Sequence, residues 1–194
     1  MLYIKFNIQD ASKYEDFQKL YEHLVNIRKP GFQFEEEGPE FDWDRMTEEE
    51  VEKATKQLID FLDEEPEVRR YREFIPEYTH LFLENYLKVD NEKLQSLGIQ
   101  EVLSIFNYLE YGFEVDFDHL KKIDQHLGII EFSTGNYPFG GLERFLITLK
   151  AFGLLPTECF DGFTICTFEW VSDFEYNTTT FPEKTKDYLK KYKN

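Results

Sequence analysis

An α+β fold is predicted, with a small sheet built from strands of the two chain ends and a mainly helical middle packed on it. Three observations predict it. Near the N-terminus apolar and polar residues alternate; near the C-terminus a run consists almost wholly of strong β-formers; and between about 45 and 127 apolar residues recur at helical spacing. The chain has 194 residues, with twenty Phe and twelve Tyr. That is enough bulky apolar material for a core, so a single domain over 1–194 is expected, with 45–127 as a helical insertion or lobe within it.

Ile4, Phe6 and Ile8 alternate with Tyr3, Lys5 and Asn7, which predicts a strand buried on one face. Ser12 and Glu15 have the spacing of a capping box, with Ser12 as the N-cap. Behind them Phe17, Leu20, Tyr21, Leu24 and Val25 form the inward stripe of a helix, which Pro30–Gly31 ends. Phe32–Gln33–Phe34 predicts a short strand. An acidic, aromatic loop from Gly38 to Asp44 then carries Phe41 and Trp43. Thr47 with Glu50 forms a second capping box, and Glu48, Glu49 and Glu50 face the positive end of the helix dipole. Val51, Ala54, Leu58, Phe61 and Leu62 give this helix its apolar stripe, and Glu64–Glu65–Pro66 stops it.

Arg69, Arg70 and Arg72 follow as a basic patch. Pro76 suits the first position of the next helix, which continues through Leu81 to Leu87. Asp90 caps a short helix ending at Gly98, and Val102, Leu103, Phe106 and Leu109 mark another. Asp116 caps a further one, with Leu120, Ile123 and Leu127 inward and Gly128 after its end. No strand is predicted between 45 and 127. Gly128 to Phe132 has the composition of a strand, and Gly135 to Gly141 that of a glycine turn. Leu142, Phe145, Leu146 and Leu149 predict a helix closed by Gly153. Phe163 to Trp170 predicts a strand that Asp173 to Tyr176 extends or pairs with, and Pro182 opens a terminal amphipathic helix with five lysines.

The formal net charge is −17, and it is unevenly placed. Between Glu35 and Glu67 fifteen acidic residues stand against Arg45, Lys53 and Lys56, which is about twelve of the excess charges. Such a field repels nucleic acid and anionic lipid and attracts basic partners. No stretch approaches the roughly 20 apolar residues of a membrane span. The N-terminus has no basic region followed by an apolar run, and Cys159 and Cys166 are too few for a disulfide framework. Cytoplasmic residence is the expectation.

Four features bear on chemistry. Gly135 to Gly140 has the spacing of a phosphate loop, but Gly141 and Leu142 stand where Lys and Ser or Thr are needed, and Glu143 follows. A tight turn is the expectation there. His119 and His126, with Asp116, share a face of the predicted helix, but two turns separate the rings by about 10 Å, too far for one metal. Neighbouring acids disfavour a thiolate at Cys159, and Cys166 suits a buried small hydrophobe. The lysine-rich tail is expected to fold back toward acidic surface, or to be a loosely held end, rather than to bind nucleic acid. No catalytic residue, metal or cofactor is assigned.

The expected function is a soluble interaction module whose acidic, aromatic segment 35–67 docks a basic protein. Phe41 and Trp43 are its anchors and Glu48, Glu49 and Glu50 its charged rim. In profile, as a small, acidic, single-domain chain, it resembles inhibitors of basic enzymes, including immunity proteins against nuclease toxins; no motif carries the likeness. A solvated acidic face with no partner accounts for the same charge. The alternative is a small-molecule-binding protein or enzyme with a pocket near the Gly135–Gly141 turn, lined by Tyr137, Phe139, Gly140, Gly141, Arg144 and His126. The oligomeric state is left open.

Overall fold

The structure, a computed structural model, describes residues 1–34, 38–89, 101–134 and 142–191. Six strands among the described residues form one antiparallel sheet: β1 (Leu2–Ile8), β2 (Asp116–Lys122), β3 (Leu127–Ser133), β4 (Leu154–Phe160), β5 (Ile165–Trp170) and β6 (Tyr176–Thr180). Their order is β2–β3–β1–β4–β5–β6, so the N-terminal strand is central and the C-terminal strands fill one side. Seven α-helices among the described residues accompany it: α1 (Ala11–Ile27), α2 (Glu48–Asp63), α3 (Pro66–Phe74), α4 (Glu77–Val89), α5 (Val102–Asn107), α6 (Leu142–Ala151) and α7 (Pro182–Lys191). The α+β class read from the two ends and the helical middle is the observed one. No helix among the described residues is long and apolar enough to cross a membrane.

The alternation in β1 is realised. Leu2, Ile4, Phe6 and Ile8 are buried in one core with Phe17, Leu20 and Leu24 of α1, Ile130 and Phe132 of β3, and Phe145 and Leu149 of α6. Gly128 stands directly opposite Phe6 in the β1–β3 pairing. A Cβ there would overlap the Phe6 ring, so the close approach of that ring requires glycine. A second cluster joins Leu83, Tyr86, Val102 and Ile105 to Ile147 and Ala151. Helix α6 lies between the two clusters, which is why it is buried almost all round. Gly153 closes it in the left-handed region, at φ +67°, as the sequence predicts.

Several local expectations are corrected. The N-cap of α1 is Asp10 rather than Ser12: the Ser12 N–H and hydroxyl both donate to Asp10 Oδ1 at 2.8 Å. Pro76 lies one residue before α4 and accepts the His80 N–H through its carbonyl. Phe32–Gln33–Phe34 has no strand partner among the described residues; the two rings pack edge-on at 5.0 Å, and Arg70 covers Phe34 instead. The short helix expected from Asp90 to Gly98 lies outside the described residues.

The largest correction concerns 116–127, which is a β-hairpin arm rather than a helix. Phe117 pairs with Phe132 and Leu120 with Ile130, and a bulge between Phe117 and His119 lets residues three apart share a face. Asp124 makes the turn, its Oδ1 accepting the N–H groups of His126 at 2.7 Å and Leu127 at 2.9 Å. Strand β4, buried in the middle of the sheet, was not predicted at all. Pro156 argues against a central strand, since it lacks an N–H for the ladder. It is accommodated where the β1–β4 register shifts between Lys5 and Phe6.

The lysine-rich terminal helix α7 is held on the opposite face of the sheet. Tyr188 packs on Tyr3 at 5.4 Å and on Phe160 at 4.8 Å. Thr185 accepts the Ile165 N–H at 2.9 Å, and Lys184 pairs with Glu158. Glu158 also accepts from the Tyr3 hydroxyl at 2.8 Å and pairs with Lys5 at 2.9 Å. Burial pushes Tyr3 far up, and the neighbouring Glu158 adds to it, so the phenol stays a donor.

Candidate functional site

The acidic segment is built around one loop and one helix. Phe41 and Trp43 pack at 5.2 Å and 62°, leaving Trp43 43% exposed. Trp43–Arg45 forms a single 3₁₀ turn that delivers the chain to Thr47. The predicted capping box is present: the Thr47 N–H and hydroxyl donate to Glu50 Oε2 at 2.8 Å, and the Glu50 N–H donates to Thr47 Oγ1 at 3.4 Å. Those bonds from the Thr47 backbone and hydroxyl hold the Glu50 carboxyl below its ordinary value. Glu50 thus starts α2, while Glu48 and Glu49 remain exposed in its first turn.

Helix α2 departs from its expected packing. Of the stripe Val51, Ala54, Leu58, Phe61 and Leu62, only Ala54 is buried, and Leu62 is 69% exposed. Ile59 is also exposed. Phe61 is clamped by the Arg69 guanidinium, 3.9 Å above its ring, and Arg69 donates to the Phe61 carbonyl at 2.6 Å. The backbone at Gly38 lies against the far edge of the same ring, where an added Cβ would come within 3.3 Å. Loop and helix therefore meet at Phe61. No ion pair forms among the described residues to Glu48, Glu49, Glu52, Asp60 or Asp63. The surface combines exposed apolar side chains with these five carboxylates, which are unpaired among the described residues.

The arginines of the predicted basic patch each have a partner within the molecule, Arg72 on its exposed surface. Arg69 clamps Phe61, Arg72 pairs with Glu64, and Arg70 reaches Glu110 through Nε at 3.0 Å and Nη2 at 3.1 Å. Glu110 also meets His23 Nε2 at 2.6 Å, and its side chain is fully buried. It sits on a π-helical turn, Tyr108–Gly112, that follows α5. Burial pushes the Glu110 carboxyl up, but the hydrogen bonds from His23 and Arg70 and the Arg70 charge outweigh it, leaving it below the usual range. The His23 ring is stacked on Phe74 at 4.2 Å and lies parallel to Phe106. This triad ties α1, α3 and the π-helical turn together. Packed against aromatic rings, it serves as a structural tie.

The cluster is not legible in the sequence, where Arg70 belongs to the basic patch and His23 and Glu110 lie far from it in the chain. Arg28 beside it donates to the carbonyls of Leu24, Leu109, Phe113 and Val115 at 2.7–2.8 Å, closing the ends of α1 and the turn. A shallow cavity of about 260 Å³ is walled by Arg28, Glu110, Tyr111, Glu114 and Asp116.

Of the residues of the alternative pocket, only Arg144 and His126 are among the described residues. Tyr137, Phe139, Gly140 and Gly141 lie outside the described residues. Arg144, in the first turn of α6, lies 3.7 Å over the Tyr108 ring. His126 instead lines an open groove with Gln9, Lys122 and Asp124. His119 and His126 are both exposed on the β2–β3 hairpin, and the described residues hold no cluster of three or more His, Cys, Asp or Glu suited to a metal ion. Cys159 and Cys166 face each other across β4 and β5 with sulfurs 3.3 Å apart and both buried. The neighbouring thiol and burial push Cys159 far up, which opposes a nucleophilic role.

Comparison with protein-family models, curated proteins and solved structures finds no significant match to this chain. A functional reading therefore rests on its own residues.

Proposed function

We propose that the protein is an interaction module, of the inhibitor or immunity type, that docks a basic protein through segment 35–67. The observation that carries this is the surface of α2 and its preceding loop. Trp43, Ile59 and Leu62 stand exposed in a segment whose Glu48, Glu49, Glu52, Asp60 and Asp63 form no ion pair among the described residues. Exposed apolar anchors inside a like-charged rim have the anatomy of a steered interface: the anchors supply contact energy, and the rim supplies encounter rate and partner choice. The capping box and the Arg69 clamp hold this surface in shape without drawing on its outward residues.

The test is capture from lysate followed by affinity measurement on the purified captured protein. Glu52→Lys/Asp60→Lys/Asp63→Lys changes the field and leaves Glu50 in its cap. Trp43→Ala/Leu62→Ala removes anchors. A basic partner that binds the wild type, is released by salt, and is lost with both variants supports the proposal. A partner bound equally by wild type and both variants refutes it. All five side chains are exposed, so the melting temperatures should hardly move.

A further inference from the structure

We infer that β6 is a self-docking edge, where two copies of the chain join their sheets by antiparallel pairing about a two-fold axis at Thr178. This uses a surface distinct from segment 35–67 and does not depend on the reading of that segment.

The two edges of the sheet are protected very differently. Edge strand β2 carries Asp116, Asp118, Lys121 and Lys122 and is broken by the bulge after Phe117. Charge and bulging are common ways to stop a sheet edge from pairing. Edge strand β6 reads Tyr-Asn-Thr-Thr-Thr, with no charge, no proline and an unbroken register against β5 from Trp170↔Tyr176 to Cys166↔Thr180. Its last four residues are all exposed.

Hydrogen-bond parity shows which groups are open. The Phe181 N–H bonds the Ile165 carbonyl and the Val171 N–H bonds the Glu175 carbonyl. Residues 175, 177, 179 and 181 therefore point their backbone groups at β5, and Tyr176, Thr178 and Thr180 point theirs outward. An antiparallel second copy centred on Thr178 sets Thr178 against itself and Tyr176 against Thr180, with about six main-chain hydrogen bonds. No like charges face each other within the paired strands. Exposed Val171 and Phe181 mark opposite ends of the edge, so the pairing brings the Phe181 end of one copy to the Val171 end of the other.

Charge also selects this end of the molecule for self-association. Of a net −17, residues 163–191 contribute almost nothing, with five acids against four lysines. Two copies meeting at β6 pair residues that lie outside the acidic segment 35–67. The contact is small, so the dimer is weak, with a Kd between about 10 µM and 1 mM.

Sedimentation velocity from about 10 µM to 1 mM tests this range. The wild type should shift from monomer to dimer with concentration. Added salt should raise the dimer fraction by screening the repulsion between two acidic bodies. That is opposite in sign to salt release of a basic partner. Thr178→Pro removes an outward N–H, and Thr178→Lys sets two ammonium groups against each other across the axis. Both should be monomeric throughout, with unchanged far-UV circular dichroism, since residue 178 gives no hydrogen bond to β5. Should Thr178→Pro unfold, Thr178→Lys alone decides. A wild type that stays monomeric to the upper limit, or a dimer that survives Thr178→Lys, overturns the inference.

Discussion

Removing the Glu110 carboxylate should be among the most damaging single changes in this chain. Its side chain is fully buried and accepts from His23 Nε2 at 2.6 Å and from Arg70 Nε and Nη2 at 3.0 and 3.1 Å. In Glu110→Ala the Arg70 guanidinium keeps its charge in a site where it is only 16% exposed, with a histidine beside it. Breaking a buried pair by deleting one partner costs about 3–5 kcal/mol. At this chain length that is a fall in Tm of about 10 °C. Glu110→Gln keeps the shape but loses the charge on the acceptor, so about 2 kcal/mol is expected. Arg70→Met/Glu110→Leu, which removes both charges, should recover much of the loss.

Urea melts of the four proteins measure these differences, and pH supplies the second readout. Because the folded carboxyl titrates below its ordinary value, its stabilisation is complete above the unfolded value of about 4.3 and is lost as pH falls through the folded value. The gap between wild type and Glu110→Gln should therefore close on acidification. A Glu110→Ala protein as stable as wild type, or a gap that widens in acid, would refute the account of the triad.

Two further stability predictions follow from close packing and from a single cation. Gly128→Ala places a methyl group in the Phe6 ring and should cost about 1–3 kcal/mol by thermal or urea denaturation, partly restored by Phe6→Leu. Arg28→Lys cannot reach the four carbonyls that the guanidinium bonds and should cost about 3 kcal/mol, read as a lowered urea midpoint.

The acidic helix was half legible in the sequence. Thr47 and Glu50 are three residues apart and cap each other within one turn, so their roles could be read directly. The fate of Leu62 could not. Its place in an apolar stripe says that it can be buried, and whether a neighbour covers it depends on where α3 and the preceding loop run. Arg69 is the instructive neighbour: one of a basic patch in the sequence, it stacks its guanidinium on Phe61.

Local chemistry settles what depends on near neighbours. The alternation of Ile4, Phe6 and Ile8, the helix closed at Gly153, the β-rich run into Trp170 and the siting of negative charge around α2 all depend on residues within a few positions of one another. These were enough to define an α+β class and to locate the unusual surface. Contacts between distant residues settled the rest. Leu120, Ile123 and Leu127 suit a helix stripe as well as a bulged hairpin, and pairing with β3 chose between them. Pro156 speaks against a central strand until a bulge beside β1 makes room for it. Glu110 lies 40 residues from Arg70 and 87 from His23, and in a sequence it looks like any exposed acid. A charge is stable in the interior only where partners converge on it, and chain closure alone creates that convergence.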